Sequence, residues 1–239
     1  MSDTLLLAAL LIPALVIAIV FHEVSHGWAA LALGDPTAKE QRRLTFNPIR
    51  HVDPVGTIIL PGFLALIGAP VFGWAKPVPV NQRRLNNPRF GMMAVAAAGP
   101  AMNFALAAVG AVGLGLSLPL DPYFAASDTG MPMLAAGDGT VSLAATGLFY
   151  FISINVFLGL FNLLPLPPFD GSHIVEGLLP DRAAYAYARL RPYGFPLLIV
   201  LLLVIPYFFP GLGIVETVVG PPVEWVQDQY LRLAELVAG

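Results

Sequence analysis

The residues best suited to chemistry stand together in the run His22-Glu23-Val24-Ser25-His26, which Gly27 follows. On a helix, positions i and i+4 lie on one face, so His22 and His26 can both reach one zinc ion while Glu23, one residue on, approaches a water beside it. Zinc in hydrolytic sites brings the pKa of its water to near 7, and an adjacent carboxylate takes the proton as that water attacks a carbonyl. The chain has no cysteine, so disulfides are excluded and any metal must be held by His, Asp or Glu. In a soluble helix the same pattern is often a solvated face. In an apolar helix a central charge costs on the order of 2.5–3.5 kcal/mol on insertion scales, so a purely structural reading has little to recommend it.

Two histidines leave the site one protein ligand short of the three that accompany water at a catalytic zinc. The candidate third ligand is Asp170, in the run Asn162-Leu163-Leu164-Pro165-Leu166-Pro167-Pro168-Phe169-Asp170-Gly171. Its three prolines end a helix, and Gly171 permits a tight turn. Asp170 can equally cap a helix starting near Ser172, and the two roles are compatible.

The elements that must carry these residues are membrane helices. A chain of 239 residues that is 57% hydrophobic and 11% charged has more apolar surface than one soluble core of this size buries. The net charge of −3 gives no reason to expect nucleic acid as a partner. Apolar segments cover about 4–33, 55–75, 90–118, 141–165 and 194–209, with a weaker tail from about 211. The first follows Met1, Ser2, Asp3 and Thr4, has no basic residue before it and outruns a signal peptide; it reads as a retained helix. The expected fold is an all-α polytopic membrane protein: a bundle of about four to six transmembrane helices with a re-entrant segment and short β elements on the cytoplasmic side. A single domain is expected over 1–239, with core helices about 4–33, 90–118 and 141–165 and C-terminal helices over 194–236.

Charge assigns the sides. Lys39, Arg42, Arg43 and Arg50 share one polar segment, Lys76, Arg83, Arg84 and Arg89 the next, and Arg182, Arg189 and Arg191 a third. The segment from Pro119 to Thr140 carries Asp121, Asp128 and Asp138 and no Lys or Arg, so it is expected outside and the basic segments inside. Both flanks of 55–75 are then cytoplasmic, and that stretch, interrupted by Gly56, Pro61, Gly62, Gly68, Pro70 and Gly73, is expected to re-enter rather than span. With the first helix running inward, His22 and His26 sit toward its cytoplasmic end, and the fourth stretch delivers Asp170 to the same level. Were 55–75 to span, Asp170 would lie roughly 30 Å of hydrocarbon away and no shared site could form.

Taken together, these motifs resemble those of the site-2 protease family of intramembrane zinc metalloproteases. The family's HExxH corresponds to His22, Glu23 and His26, and its Asp-Gly motif after an Asn- and Pro-containing helix end to Asp170 and Gly171. The run Gly99-Pro100-Ala101-Met102-Asn103 resembles the small-residue motif of the family's intervening core helix. The resemblance implies that Asn162 faces the active site and helps bind the substrate carbonyl or its oxyanion, a role suited to a neutral amide donor. Members often carry a PDZ or CBS domain, for which this sequence has no room.

Other polar residues divide between roles. Asn155, two turns before Asn162 on the same face, either lines the active-site cleft or hydrogen-bonds a neighbouring helix. Asn103 reads as a helix contact beside Ala96, Ala97, Ala98, Gly99 and Ala101. His173, one turn beyond Asp170, reads as an outer or surface residue, because a fourth protein ligand would displace the water. His51 reads as a loop histidine near the membrane surface. Gly73–Asn81 suits an extended strand whose prolines, two apart, blunt only one edge; it either offers the other edge to a substrate beside the zinc or merely connects. The function expected is a zinc endopeptidase, with one zinc per chain, acting on transmembrane or membrane-associated polypeptides. It would sit as a multi-pass protein in the cell membrane, the inner membrane if bacterial, with its active site toward the cytoplasm. The competing reading is a zinc-binding membrane transporter, which would have no need of Glu23.

Overall fold

The computed structural model describes residues 3–67, 73–209, 213 and 217–239. Four helices in it are long and apolar enough to cross a bilayer: α1 (Asp3–Ala32), α4 (Pro88–Ser117), α5 (Leu143–Asn162) and the broken run Asp181–Phe208. That run comprises α7 (Asp181–Ala188), α8 (Gly194–Ile199) and α9 (Ile205–Phe208), joined by tighter and wider turns. At 30 residues each, α1 and α4 extend about 45 Å, more than the ~30 Å hydrocarbon core requires. Exposed Leu5, Ile12, Val109 and Leu116 are what a lipid-facing surface calls for. The multi-pass expectation holds at this level. The C-terminal helix α10 (Gly220–Ala238) is amphipathic and is not among the four; residues 210–212 and 214–216 of the expected C-terminal region lie outside the described residues.

Among the described residues, the apolar stretch after the first polar segment gives only a short helical run. A π-type turn, Pro54–Ile59, runs into α3 (Leu60–Leu66), giving six and seven residues respectively, about 20 Å in all. Residues 68–72 of this stretch lie outside those described.

Contacts divide the chain into two compact units. The first holds residues 1–18, 103–158 and 222–239. At its centre the fully buried Asn103 donates from Nδ2 to Ala18 O (3.2 Å) and to Asn155 Oδ1 (2.9 Å), while Asn155 Nδ2 donates to Phe151 O (2.8 Å). Within hydrocarbon such amide pairs join helices that have no hydrophobic drive to associate. Tyr230 of α10 donates to Phe104 O of α4 (2.9 Å), and Gly115 lets α10 approach: a Cβ there would lie 2.4 Å from Ala234 O. The unit also carries an antiparallel hairpin, β1 (Tyr123–Ala126) with β2 (Pro132–Ala135), fastened to α5 by Leu134 N–H to Thr146 Oγ1 (2.9 Å) and Tyr150 OH to Pro132 O (2.7 Å). This sheet falls in the acidic connection 119–140, not among the basic segments where short β elements were expected.

The second unit holds residues 19–102 and 159–221. Helix α1 ends in a Schellman turn: Gly34, at φ +102°, and Asp35 donate to Leu31 O (3.2 Å) and Ala30 O (2.8 Å). Asp35 is fully buried and accepts from Thr37 N–H (3.0 Å), the Thr37 hydroxyl and Asn81 N–H (2.6 Å). Burial alone would raise its carboxyl; these donors outweigh it and hold the group below the usual carboxylate range. Across the same region Arg84 pairs at 2.7 Å with Glu40, the last residue of the short helix α2 (Thr37–Glu40).

One expectation is corrected in this unit. Gly73–Asn81 forms no β ladder among the described residues, and the edge its prolines leave intact is already in use. Trp74 N–H donates to Gly56 O (3.1 Å), Lys76 N–H to His51 O (2.8 Å) and Val78 N–H to Glu23 Oε2 (2.8 Å). Donors two apart must find partners when one side of an extended chain is packed against protein, and here loops and a carboxylate supply them. His51, read as a loop histidine near the membrane surface, stands in the short turn Pro48–His51, is 3% exposed and donates from Nε2 to Thr45 O (2.8 Å).

Candidate metal centre

His22 and His26 project from one face of α1, as their spacing requires, and Asp170 meets them from the first turn of α6 (Asp170–Leu178). Leu163–Phe169 brings Asp170 there: Pro165, Pro167 and Pro168 have no N–H to continue α5, and the chain doubles back. Gly171 makes the return possible, since a Cβ at that position would fall 2.2 Å from Leu163 O and 2.4 Å from Leu164 O. Asp170 is not the N-cap of α6; Phe169 occupies that place, ring-packed on Phe161 at 4.6 Å, and the aspartate side chain is left for the histidines.

Three atoms then converge. Nε2 of His22 and Nε2 of His26 are 3.1 Å apart, and Asp170 Oδ2 lies 3.1 Å from the first and 3.3 Å from the second. The histidines are 7% and 8% exposed, so water does not separate them freely. The tautomer of His26 follows from its other nitrogen. Nδ1 is 2.7 Å from Val95 O, and a carbonyl only accepts, so Nδ1 carries the proton and Nε2 of the neutral ring presents a lone pair. Asp170 Oδ2 is buried and makes no hydrogen bond of good geometry. Lone pairs so close, in so dry a place, repel one another unless they share a cation. The edges of a tetrahedron with zinc–nitrogen bonds of 2.0–2.1 Å come to about 3.3–3.4 Å, close to the triangle seen, and two imidazoles with a carboxylate are a zinc donor set. The residues fit the metal.

Around the triangle lie groups that sequence motifs did not single out for this role. Gly99 of α4 forms the wall: a Cβ there would lie 2.5 Å from His26 Nε2 and 2.6 Å from His22 Cε1, so any larger residue would push the imidazoles aside. The glycine was legible as part of a small-residue run, but not as a contact with the histidines. Val95, one turn earlier, supplies only its carbonyl, which leaves no trace in residue type. Glu23 is half-buried, and its Oε2 accepts from Val78 N–H.

The remaining expected residues fall as follows. Asn162 is the last residue of α5, half-buried, in the same unit as the three ligands. Asn155 belongs to the other unit, where it accepts from Asn103 across a helix contact and donates to Phe151 O within its own helix. His173 accepts at Nδ1 from Arg191 Nη2 (3.4 Å), and Arg191 also pairs with Glu176. Burial, then the Arg191 guanidinium, hold His173 below its ordinary range, so it is a neutral neighbour of the centre.

Comparison with known proteins agrees with this chemistry. The model of "Peptidase family M50" matches residues 10–205. A Bacillus subtilis protein named "Putative zinc metalloprotease YwhC" is 41% identical over 227 residues, 93% of this chain and 90% of that protein. Proteins named "Putative zinc metalloprotease Rip2" from Mycolicibacterium smegmatis and Mycobacterium tuberculosis are 27% and 28% identical over 183 and 193 residues. Those matches take in 76% and 78% of this chain but 62% and 64% of the two mycobacterial proteins. No solved structure matches.

Proposed function

The chain belongs to peptidase family M50, the site-2 protease family, and is an intramembrane zinc metalloprotease; from that premise we propose that His22, His26 and Asp170 hold its zinc and that Glu23 is its general base. The observation that carries the assignment is the triangle of buried donor atoms, 3.1–3.3 Å on each side, drawn from two distant parts of the sequence. Zinc held there would act as a Lewis acid toward water and the scissile carbonyl. Glu23 takes a proton from the attacking water and returns it to the leaving amine. Val95 O keeps His26 in the tautomer that ligates, and Asn162 donates to the substrate carbonyl or the oxyanion. Asn155 is kept as a second candidate for that donation. A transmembrane or membrane-associated polypeptide is the substrate, and no relative supports the zinc-transporter alternative. Purified protein in liposomes is expected to cleave a model transmembrane substrate, and to lose that activity with a zinc chelator and regain it with zinc; cleavage indifferent to chelation would overturn the reading.

Residues 1–239 are read as one protease domain, since α1, α4 and α5 each give a stretch to both contact units. The active site is assigned to the cytoplasmic side. In support, eleven of the twelve basic residues fall in the unit that holds the site, all but Arg232, whereas the acidic 119–140 connection falls in the other. The apolar stretch around α3 re-enters on that same side. In support, Arg84 with Glu40 (2.7 Å) and Asn81 N–H with Asp35 (2.6 Å) tie the chain after it to the chain before it, and ends so joined cannot lie across ~30 Å of hydrocarbon. Single cysteines replacing Glu40, Arg84 and Tyr185 are expected to react with an impermeant thiol reagent from the cytoplasmic side, and one replacing Asp128 from the outside. Opposite sidedness for positions 40 and 84 would end both assignments.

A further inference from the structure

We propose that the strap Gly73–Asn81 positions the catalytic carboxylate, through one main-chain group, the N–H of Val78. The inference rests on Glu23 being the general base and adds what holds it. Val78 N–H donates to Glu23 Oε2 at 2.8 Å, which fixes the orientation of the carboxylate and leaves Oε1 turned to the proton transfer. An unrestrained glutamate would sample several rotamers, and only a fraction would reach the reacting water.

The local sequence is built to hold that one N–H still. Val78 stands between Pro77 and Pro79. Pro77 has a fixed φ, and Pro79 biases the residue before it toward extended backbone, so the N–H vector of Val78 is set before Glu23 arrives. The flanking prolines have no N–H to compete for the carboxylate. The strap is anchored on both sides of the valine. Lys76 donates to His51 O (2.8 Å) and its carbonyl accepts from Arg43 Nη2 (2.8 Å), while Asn81 N–H is held by buried Asp35 (2.6 Å). At the far end the Trp74 ring lies on Gly56, where a Cβ would be 2.3 Å from it.

Gly27 completes the arrangement. It follows Glu23 by four residues and so shares its face of α1, and a Cβ there would lie 2.9 Å from Val78 Cγ1 and 2.5 Å from Leu44 Cδ2. Absence of that carbon lets the strap lie close enough to the helix for a backbone N–H to reach a side chain one turn back. The glycine after the second histidine thus serves the carboxylate, not the metal.

The test removes the N–H and keeps the rest. Val78→Pro in the full-length protein deletes the donor while remaining compatible with extended backbone; Val78→Ala keeps the donor and trims the side chain. Val78→Pro is expected to lower kcat by about 10- to 100-fold, the cost of losing an outer hydrogen bond or a small misplacement, with KM and zinc content unchanged. Val78→Ala should stay within about threefold of wild type on the same grounds, since the donor survives. Equal losses in the two variants would mean that packing, not the N–H, matters; a Val78→Pro effect carried by KM or by zinc would mean that the strap serves substrate or metal. Either result, or an unimpaired Val78→Pro, overturns the proposal. Should Val78→Pro fail to accumulate, replacing Val78 by its α-hydroxy acid, which substitutes an ester oxygen for the N–H and leaves the side chain intact, makes the same comparison. Glu23→Gln assayed in parallel separates the two levels: activity there would refute the general-base assignment itself, whatever Val78 does.

Discussion

Glu23→Gln is expected to keep its zinc and bind substrate while cleaving at least about 10²-fold more slowly than wild type, the lower range for losing a general base. The substitution is close to isosteric. Its amide oxygen can still accept from Val78 N–H, as Glu23 Oε2 does at 2.8 Å, so the strap and the helix turn should stay as they are. None of the three converging atoms belongs to Glu23, so the metal should stay too. What disappears is the ability to take a proton. Single-turnover cleavage of a transmembrane substrate, beside metal analysis of the same preparation, checks both halves. Undiminished cleavage by carefully purified Glu23→Gln protein would mean that another group accepts the proton.

Loss of a ligand should have a different signature. His22→Ala, His26→Ala and Asp170→Ala are each expected to bring zinc from about one ion per chain to near none after dialysis, and cleavage with it. Two remaining donors cannot make the three-ligand site of a catalytic zinc, so affinity should fall by more than the 10- to 100-fold usual for an outer hydrogen bond. The variants should still fold, because each truncation shortens one side chain of the triangle and adds no bulk that the surrounding helices would have to accommodate. Asp170→Ala is the most informative of the three, since its partners come from a helix remote in sequence. Full zinc occupancy in Asp170→Ala would take the aspartate out of the coordination sphere and leave its burial beside two histidines unaccounted for.

The amino-acid sequence by itself determined the parts of this protein that depend on short covalent distances and on solvent. The i, i+4 spacing of His22 and His26 places two imidazoles on one helix face whatever surrounds them, and the observed Nε2 separation of 3.1 Å bears this out. Hydropathy over about 20 residues decides which segments a bilayer accepts, and α1, α4 and α5 start and stop within about three residues of the expected bounds. Asp170 was legible because prolines and a glycine mark the place where a helix must end and turn. Tertiary structure alone decided the contacts made by backbone. Val95 O sets a histidine tautomer, Val78 N–H holds the carboxylate, and Gly99 and Gly27 act by the carbon they lack. Every residue but proline has both an N–H and a C=O, so residue type cannot say which of them will be aimed at a side chain far along the chain. The same reason overturned the free edge expected of Gly73–Asn81: the proline pattern says which edge keeps its donors, but only the packing of Glu23, His51 and Gly56 against it says that those donors are spent.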